Sequence, residues 1–293
     1  MQKLLIVDGT FLAYRSYYAM VYNKAAPVLQ TEQGIETNAI VSFFNTLLSL
    51  IKNYDITHLY IAFDSHIKTF RHEMYSDYKA GRQKAPNSFY TQLDLIQDLL
   101  NHLNIKNNYF NGFEADDIIA KVVKKFDNKD ILIFSGDQDL NQLISYNVSI
   151  IKKVKSEFII LNNDNFLNYY DFKPSQVIDY KAMVGDNSDN FKGIAGIGPK
   201  TASSLLKEYG TLENIYENIN NIKSTWANKL LEQKENAYRD KYIATLNTDF
   251  QLIIPEIDNL SLANVQLNKE GYELCDKLEL KTLKRKLSYF GTN

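Results

Sequence analysis

Three short apolar runs in this sequence are followed by an aspartate. An aspartate in such a position could bind a metal ion or activate water. Asp8, Asp64 and Asp137 each come at or shortly after the end of a short run that predicts a strand. Because the carboxyl ends of parallel strands form the ligand crevice of an open α/β sheet, these side chains are expected to converge. Asp139 follows two residues after Asp137 and is expected to point the same way.

Two further acidic pairs have helical spacing. Glu114 and Asp117 stand three residues apart in a segment that predicts the start of a helix, and Asp186 and Asp189 repeat this spacing. With the acids at the strand ends, these segments give nine candidate ligands: Asp8, Asp64, Glu114, Asp116, Asp117, Asp137, Asp139, Asp186 and Asp189.

Nine carboxylates in one crevice could not all stay ionised without cations, because like charges a few ångströms apart repel strongly. Oxygen ligands with almost no histidine or cysteine select Mg²⁺ or Mn²⁺ rather than zinc. Two such ions can activate a water molecule and stabilise the leaving oxygen of a phosphodiester. The chain has 33 basic and 35 acidic residues, so without these nine acids the balance is 33 against 26, a net charge of +7.

Capping is the alternative interpretation of these acids. A single Asp at such a position is more often a helix cap or a turn residue, and Asp116 with Asp117 could stabilise a helix N-terminus. The joint pattern is not typical of capping, and we interpret it as functional.

A glycine-rich segment, residues 193–202, is the second candidate site. Gly193 and Gly198 have the spacing of a nucleotide-binding loop, but Pro199 removes an amide and no strand precedes the segment. A helix–hairpin–helix fits better, since Pro199 can start a helix whose exposed amides bind a DNA phosphate without sequence specificity. A plain turn between helices is the alternative. The candidate nucleic-acid-binding residues are Gly196, Gly198, Lys200 and Thr201.

A basic and aromatic segment lies between residues 66 and 87. If this segment is helical, Arg71, Tyr75, Tyr78 and Arg82 form one stripe of cations and rings. Cations hold phosphates and rings stack on unpaired bases, as single-strand binding requires. The alternative is a half-buried helix with its tyrosines in the core.

Strands and helices alternate in the first half of the chain. This order predicts a mostly parallel, doubly wound α/β sheet, followed by a helical region. We expect a domain at 1–170 and a helical domain at 171–293, with the hairpin motif at about 185–210. The predicted strands are 4–7, 58–63 and 131–134, and the predicted helices are 40–51, 93–103, 118–126, 174–184, 201–209, 211–219 and 227–246.

Composition excludes several other classes of protein. The 293 residues are 45% hydrophobic and 23% charged, which is typical of a globular chain. No apolar run approaches the ~18 residues of a membrane span, and the first run is too short for a secretory signal. The single cysteine excludes an internal disulfide and a Cys-based zinc site. The sequence predicts a soluble cytoplasmic protein that acts as a monomer.

These motifs together resemble the 5′-nuclease superfamily that includes the flap endonucleases. The resemblance is greatest to the 5′–3′ exonuclease domain of bacterial DNA polymerase I, and it runs from Leu4 to at least Leu246. It rests on Val7-Asp8-Gly9, Phe63-Asp64, Phe70-Arg71-His72-Glu73, Tyr78-Lys79, Glu114-Ala115-Asp116-Asp117, Gly136-Asp137-Gln138-Asp139, Gly185-Asp186-Asn187-Ser188-Asp189-Asn190 and Gly196-Ile197-Gly198-Pro199-Lys200-Thr201-Ala202.

The resemblance implies roles for these residues. The first five of the nine acids would surround one metal ion and the last four a second, with Asp116 or Asp137 as the candidate shared ligand. Lys79 and Arg82 would contact the scissile phosphate from the base of a helical arch, and Tyr78 would stack near the reacting nucleotide. The hairpin would bind duplex DNA through a K⁺ ion held by the backbone carbonyls of Ile194 and Ile197.

The sequence therefore predicts a stand-alone 5′–3′ exonuclease and flap endonuclease with two Mg²⁺ or Mn²⁺ ions. Its expected substrates are 5′ flaps, nicked or gapped duplexes and RNA primers, and its expected partner is a DNA polymerase. Two rivals are a PIN-like metal-dependent RNase and a non-catalytic protein that binds DNA junctions. Two departures from the family pattern are Gln138, where relatives often have Lys, and Lys192, where Pro is frequent.

Overall fold

The computed structural model describes residues 2–21, 28–154 and 157–290, which form two compact units. The first unit contains residues up to 65, residues 84–136 and residues from 250 onward. The second contains residues 66–83 and 137–249. Both units are discontinuous in sequence because the chain leaves the first unit twice. This division differs from the expected one at residue 170.

The strands and helices have the following bounds. The strands are β1 (Lys3–Asp8), β2 (His58–Ala62), β3 (Asn107–Asn108), β4 (Asp130–Phe134), β5 (Val148–Val154) and β6 (Glu157–Leu161). The helices are α1 (Gly9–Val21), α2 (Asn38–Asn53), α3 (Phe70–Met74), α4 (Asn87–His102), α5 (Ala115–Lys125), α6 (Val177–Val184), α7 (Pro199–Tyr209), α8 (Leu212–Glu217), α9 (Ser224–Glu232), α10 (Lys234–Ala244), α11 (Lys269–Lys277) and α12 (Lys281–Ser288).

The first unit is built on a parallel sheet. Its four strands have the order β3-β2-β1-β4, with Leu5 opposite both Leu59 and Leu132. Residues 4–8 of β1 are all buried, as expected for a central strand covered on both faces. The predicted parallel α/β arrangement is confirmed here. The polar two-residue strand β3 gave no signal in the sequence.

The second unit is mainly helical, as predicted, and includes one antiparallel strand pair. The pair β5–β6 places Ile151 opposite Ile160 and was not predicted. The single helix predicted over 227–246 is wrong, because the structure divides it into α9 and α10 at Gln233. The side chain of Gln233 accepts a hydrogen bond from the backbone N of Ala195 at 2.9 Å. Gln233 therefore supports the glycine-rich segment rather than continuing a helix.

The last part of the chain returns to the first unit. Helix α11 packs against α4, and α12 packs against α2. Within the described residues, no helix is both long and apolar enough to cross a membrane.

Candidate active site

The first acidic group lies in the first unit and begins with Asp8, the last residue of β1. Its carboxylate is buried and is fixed by two donors. The backbone N of Phe11 donates to Oδ1 at 2.9 Å, and Ser135 Oγ donates to Oδ2 at 2.8 Å. The next residue is glycine, and a Cβ at this position would lie 2.5 Å from the ring of Phe63. The hydrogen bonds from Phe11 and Ser135 therefore orient the Asp8 carboxylate, in a place where the chain packs closely against Phe63.

Asp64 and Asp117 are both engaged at the start of α5. Asp64 Oδ1 accepts a hydrogen bond from the backbone N of Ala115 at 2.8 Å. Asp117 is fully buried and its Oδ2 accepts from the backbone N of Glu114 at 3.1 Å. The capping interpretation thus holds for Asp117, while Glu114 and Asp116 are half-buried. A carboxylate that caps a helix can still bind a cation, because each carboxylate has about four acceptor positions.

The second acidic group lies in the second unit and is organised around a lysine. The backbone N of Asp139 donates to Asp137 Oδ1 at 2.9 Å. The Lys181 ammonium on α6 forms ion pairs with Asp139 and with Asp186 Oδ2, the latter at 2.6 Å. Ser188 donates to Asp186 Oδ1 from its backbone N at 2.7 Å and from Oγ at 2.6 Å. In the segment after α6, Ser188 therefore holds the carboxylate of Asp186.

Asp189 completes the second group and is contacted by two cations from residues 66–83. Arg82 Nη2 lies 3.0 Å from Asp189 Oδ1, and Lys79 Nζ lies 3.9 Å from it. The backbone N of Lys79 also donates to the carbonyl of Asp189 at 3.2 Å. The Asp189 side chain is only 4% exposed, whereas that of Arg82 is 52% exposed. Lys79 and Arg82 thus converge on one carboxylate.

Burial and like charge set the protonation of the second group. Burial, with added repulsion from Asp137 and Asp189, raises the pKa of Asp139 to about 7 although Lys181 opposes this. Burial also raises the pKa of Asp186, but Lys181 and Ser188 bring it down to about 2. Burial lowers the pKa of Lys181, but the neighbouring carboxylates outweigh it and raise that pKa overall. Lys181 is therefore a charged ammonium inside the protein.

A metal ion requires several ligand side chains around one point. Among the described residues, no three His, Cys, Asp or Glu side chains come together in an arrangement that could hold a metal ion. In the second group, Lys181, Lys79 and Arg82 supply the countercharge instead. The donor set itself fits a hard divalent cation, since it consists of carboxylate oxygens. Burial, and then the charges of Asp137 and Asp189, raise the pKa of Asp139 among them. The ligand assignments stay predictions.

The basic and aromatic segment is not one continuous helix, so the stripe expected of a helical segment does not form. Helix α3 ends at Met74, Tyr75 is extended, and Lys79 has a φ of +54° in the left-handed region. Turns from residue 75 onward therefore replace the predicted stripe. Tyr75 is half-buried, its hydroxyl donates to the Asn190 carbonyl at 3.3 Å, and the Arg239 guanidinium lies 4.4 Å from its ring centroid.

Two residues of this segment are core residues rather than nucleic-acid contacts. Arg71 is 2% exposed, and its Nε donates to the carbonyl of Ile243 at 2.8 Å. Tyr78 is 3% exposed and packs with Phe191 and Ile243, its ring centroid 5.8 Å from that of Phe191. The roles predicted for Arg71 in binding and for Tyr78 in stacking on a base are therefore corrected. Carbonyl groups at the end of α10 hold the arginine, and apolar packing holds the tyrosine.

The glycine-rich segment turns between α6 and α7 as predicted. Gly196 has a φ of +84°, and the Lys229 ammonium donates to its carbonyl at 3.3 Å. Gly198 precedes Pro199, which is the first residue of α7, and Lys200 is exposed. The backbone N of Ile197 donates to the carbonyl of Ile194 at 2.9 Å, closing the turn. The segment presents a helix N-terminus with an adjacent exposed cation.

Comparison with known proteins gives the relationships of the whole chain. The sequence model of the 5′–3′ exonuclease N-terminal resolvase-like domain matches residues 3–171, and that of the 5′–3′ exonuclease C-terminal SAM fold matches residues 172–268. The chain belongs to the 5′–3′ exonuclease family.

Relatives in this family occur in two lengths. The chain is 37% identical to a 5′–3′ exonuclease of Aquifex aeolicus over 285 residues, which are 97% of this chain and 94% of the relative. It is 40% identical to DNA polymerase I of Lactococcus lactis over 265 residues, which are 88% of this chain and 30% of that protein. The chain thus spans about a third of the polymerase relatives that it matches.

Solved structures share the fold of the family. The phage T5 5′-exonuclease with bound zinc aligns with a TM-score of 0.71 at 22% identity, covering 99% of this chain and 100% of that chain. The catalytic core of Rad2 with a DNA substrate aligns with a TM-score of 0.58 at 14% identity, covering 94% of this chain and 88% of that one.

Sequence reasoning missed two features of this 5′–3′ exonuclease family member. One is Lys181, whose only signal was a lysine within an apolar helix. The other is a pair of half-buried rings on α1, where Tyr14 and Tyr18 have parallel planes and centroids 6.2 Å apart. Burial, neighbouring tyrosines and the charge of Asp64 raise the pKa of Tyr14 to about 12, which places this ring near the first acidic group. The four-residue spacing of these tyrosines after Asp8 could have revealed them.

Proposed function

We propose that this chain is a metal-dependent 5′–3′ exonuclease and flap endonuclease that hydrolyses phosphodiester bonds in DNA. The observation that carries the proposal is the complete set of nine acids, held near strand ends, at helix starts and in the segment after α6, in a chain of this family. The near full-length match to a stand-alone 5′–3′ exonuclease supports the activity. The flap endonuclease and DNA complexes among the solved relatives support the substrate.

The acids are proposed to hold Mg²⁺ or Mn²⁺. When bound, divalent cations supply a deprotonated water and stabilise the leaving oxygen. The protein's part is orientation, because Phe11 and Ser135 hold both oxygens of Asp8, and Ala115 holds Asp64. A fixed carboxylate needs no reorganisation during the reaction, which is how preorganised sites lower a barrier.

Lys79 and Arg82 are proposed to act on the scissile phosphate. Both cations converge on Asp189, and the half-exposed Arg82 guanidinium can exchange this carboxylate for a phosphate of the substrate. Charge on that phosphate increases as hydrolysis proceeds, so a fixed cation stabilises the transition state more than the ground state. The catalytic role expected of these two residues therefore remains, although the helix that was to position them does not.

The stacking role first assigned to Tyr78 is proposed instead for Tyr14 and Tyr18. Their rings are half-buried, and Tyr14 is fixed against Phe89 at a centroid distance of 4.2 Å. A ring held in this way can stack on an unpaired base at little cost in side-chain entropy.

The glycine-rich segment is proposed to anchor duplex DNA. The amides at the start of α7 and the exposed Lys200 suit a backbone phosphate, with a K⁺ ion held by the carbonyls of Ile194 and Ile197. Such contacts leave the base edges unread, so binding should not depend on sequence.

A DNA polymerase is the proposed partner. The polymerase relatives contain the matched part as about a third of their length, which suits an enzyme that removes 5′ flaps or RNA primers ahead of synthesis. We propose that the chain itself acts as a monomer.

A substrate comparison tests the proposal. The purified chain is incubated with a labelled 5′-flap DNA, a nicked duplex and a single-stranded RNA, each with Mg²⁺ and with EDTA. We expect Mg²⁺-dependent cleavage of the flap near its junction and of the nicked duplex from its 5′ end. Preferred cleavage of the RNA would favour a PIN-like RNase. Tight flap binding without cleavage in Mg²⁺ or Mn²⁺ would favour a junction-binding protein.

A further inference from the structure

Lys181 is a buried cation placed between two of the proposed metal ligands. Its side chain is 8% exposed, and its ammonium forms ion pairs with Asp139 and with Asp186. A lysine in such a place is costly to bury unless its partners neutralise it. Its position on α6 is fixed by packing of that helix against α7 and α10.

The second acidic group is neutralised by protein cations in this structure. Lys181 serves Asp139 and Asp186, while Arg82 and Lys79 serve Asp189. These pairs differ in exposure, because the Arg82 side chain is 52% exposed and that of Lys181 only 8%. Arg82 can turn to solvent or to a phosphate, whereas Lys181 faces its two carboxylates from inside the protein.

We propose that Lys181 is an internal counter-ion that competes with the divalent cation for Asp139 and Asp186. The inference rests on the proposed function, which assigns these acids to a metal ion. An ammonium and a divalent cation that share the same carboxylates repel each other, so each weakens the binding of the other. Lys181 then has two effects, since it stabilises the metal-free protein and weakens the affinity of the second group for metal.

Lys181 pairs with acids of the second group. If each acidic group binds a metal ion, titration should give two phases of binding. The phase that belongs to the second group should respond to removal of Lys181, and the other phase should not.

The test is calorimetric titration of the full chain with Mn²⁺ in the absence of DNA, and it does not depend on activity. In Lys181→Met the competing charge is removed at similar side-chain length. One of the two phases should tighten by about tenfold or more while the other stays unchanged, since close charge pairs couple by ~1.5 kcal/mol or above. The melting temperature without metal should fall, and Mn²⁺ should raise it further than in the wild type. Lys181→Arg, which keeps the charge, should stay near the wild-type affinity.

A matched control comes from a second bridging lysine in the same unit. Lys241 lies 2.6 Å from both Asp179 and Glu213, which are outside the acidic groups. Lys241→Met should lower the melting temperature without changing Mn²⁺ affinity. Loss of a buried ion pair should change the melting temperature alone, whereas loss of competition should also change the affinity for Mn²⁺.

Each result of the titration bears on a different part of the proposal. If the wild type binds no Mn²⁺, the proposed metal dependence itself fails. If it binds Mn²⁺ and Lys181→Met leaves both phases unchanged or weaker, only the competition is refuted. If Lys181→Met does not fold without metal, the proposal predicts that Mn²⁺ restores folding, and failure to restore it would show a purely structural lysine.

Discussion

Arg71 and Tyr78 show how a residue's type can mislead about its role. A guanidinium and a phenol ring in a basic segment suggest contacts with nucleic acid, but both side chains are nearly excluded from water. Arg71 finds carbonyl acceptors at Ile243 and Thr245, 172 and 174 residues along the chain. Local spacing cannot show partners so distant in sequence. The burial of Arg71 therefore could not be predicted, whereas a core position for Tyr78 is the alternative interpretation of the same segment. The acids at the ends of strands could be predicted.

The substitution Tyr78→Ala tests whether this tyrosine is a core residue. Removing a buried aromatic side chain from its packing with Phe191 and Ile243 should lower the free energy of unfolding by ~3–5 kcal/mol. Chemical denaturation followed by circular dichroism measures this loss. Tyr146→Ala is the control, because that side chain is 88% exposed and its removal should change stability by less than ~0.5 kcal/mol. Normal stability of Tyr78→Ala with impaired cleavage would restore the stacking role instead.

Elements were predictable where a hydrophobic pattern decides them. Three parallel strands and the helix after Pro199 appear as expected, because buried apolar runs and proline chemistry are local signals. The segment after α3 departs from its helical spacing, since Lys79 adopts a positive φ and hydrogen-bonds to Asp189. The break at Gln233 has a similar cause, a side chain that supports a distant backbone amide. Tertiary hydrogen bonds overrode the local pattern in both places.

The start of α7 is proposed to contact a phosphate of duplex DNA through Lys200. Lys200→Ala should weaken binding to duplexes of all sequences about equally and lower the salt slope of log affinity by ~1, because one phosphate contact is lost. Binding to several duplexes in Ca²⁺ at a series of salt concentrations measures both effects. Lys207→Ala, an exposed lysine at the other end of the same helix, should leave the slope unchanged. A loss confined to particular sequences would contradict backbone anchoring.

The division of the whole molecule follows packing rather than sequence order. The chain from residue 250 onward joins the first unit, although the family's C-terminal sequence model covers it up to residue 268. The amino-acid composition does not predict that the residues from 250 onward belong to the first unit. Their position depends on which faces of α2 and α4 are left for α11 and α12 to cover. The two acidic groups divide between the units in the same way, five acids in the first and four in the second.

The reactivity of the Cys275 thiol tests whether the residues from 250 onward pack as part of the first unit. The thiol is fully buried on α11, and burial raises its pKa to about 11, so little thiolate exists at neutral pH. Alkylation by iodoacetamide, followed by mass spectrometry, should be negligible in the native protein and rapid in denaturant. Rapid alkylation under native conditions would mean that residues 269–277 do not pack as described.

The acidic groups are proposed to carry a metal-dependent cleavage of DNA. The single-turnover rate of 5′-flap cleavage in Mg²⁺, measured for the wild type, Asp8→Asn and Asp98→Asn, tests this proposal. Asp8→Asn removes one charge from a fixed carboxylate and should slow cleavage by ~10²-fold or more. Asp98→Asn removes an exposed acid of α4 and should cleave at the wild-type rate. Equal rates for all three proteins, or wild-type cleavage that persists in EDTA, would contradict the account.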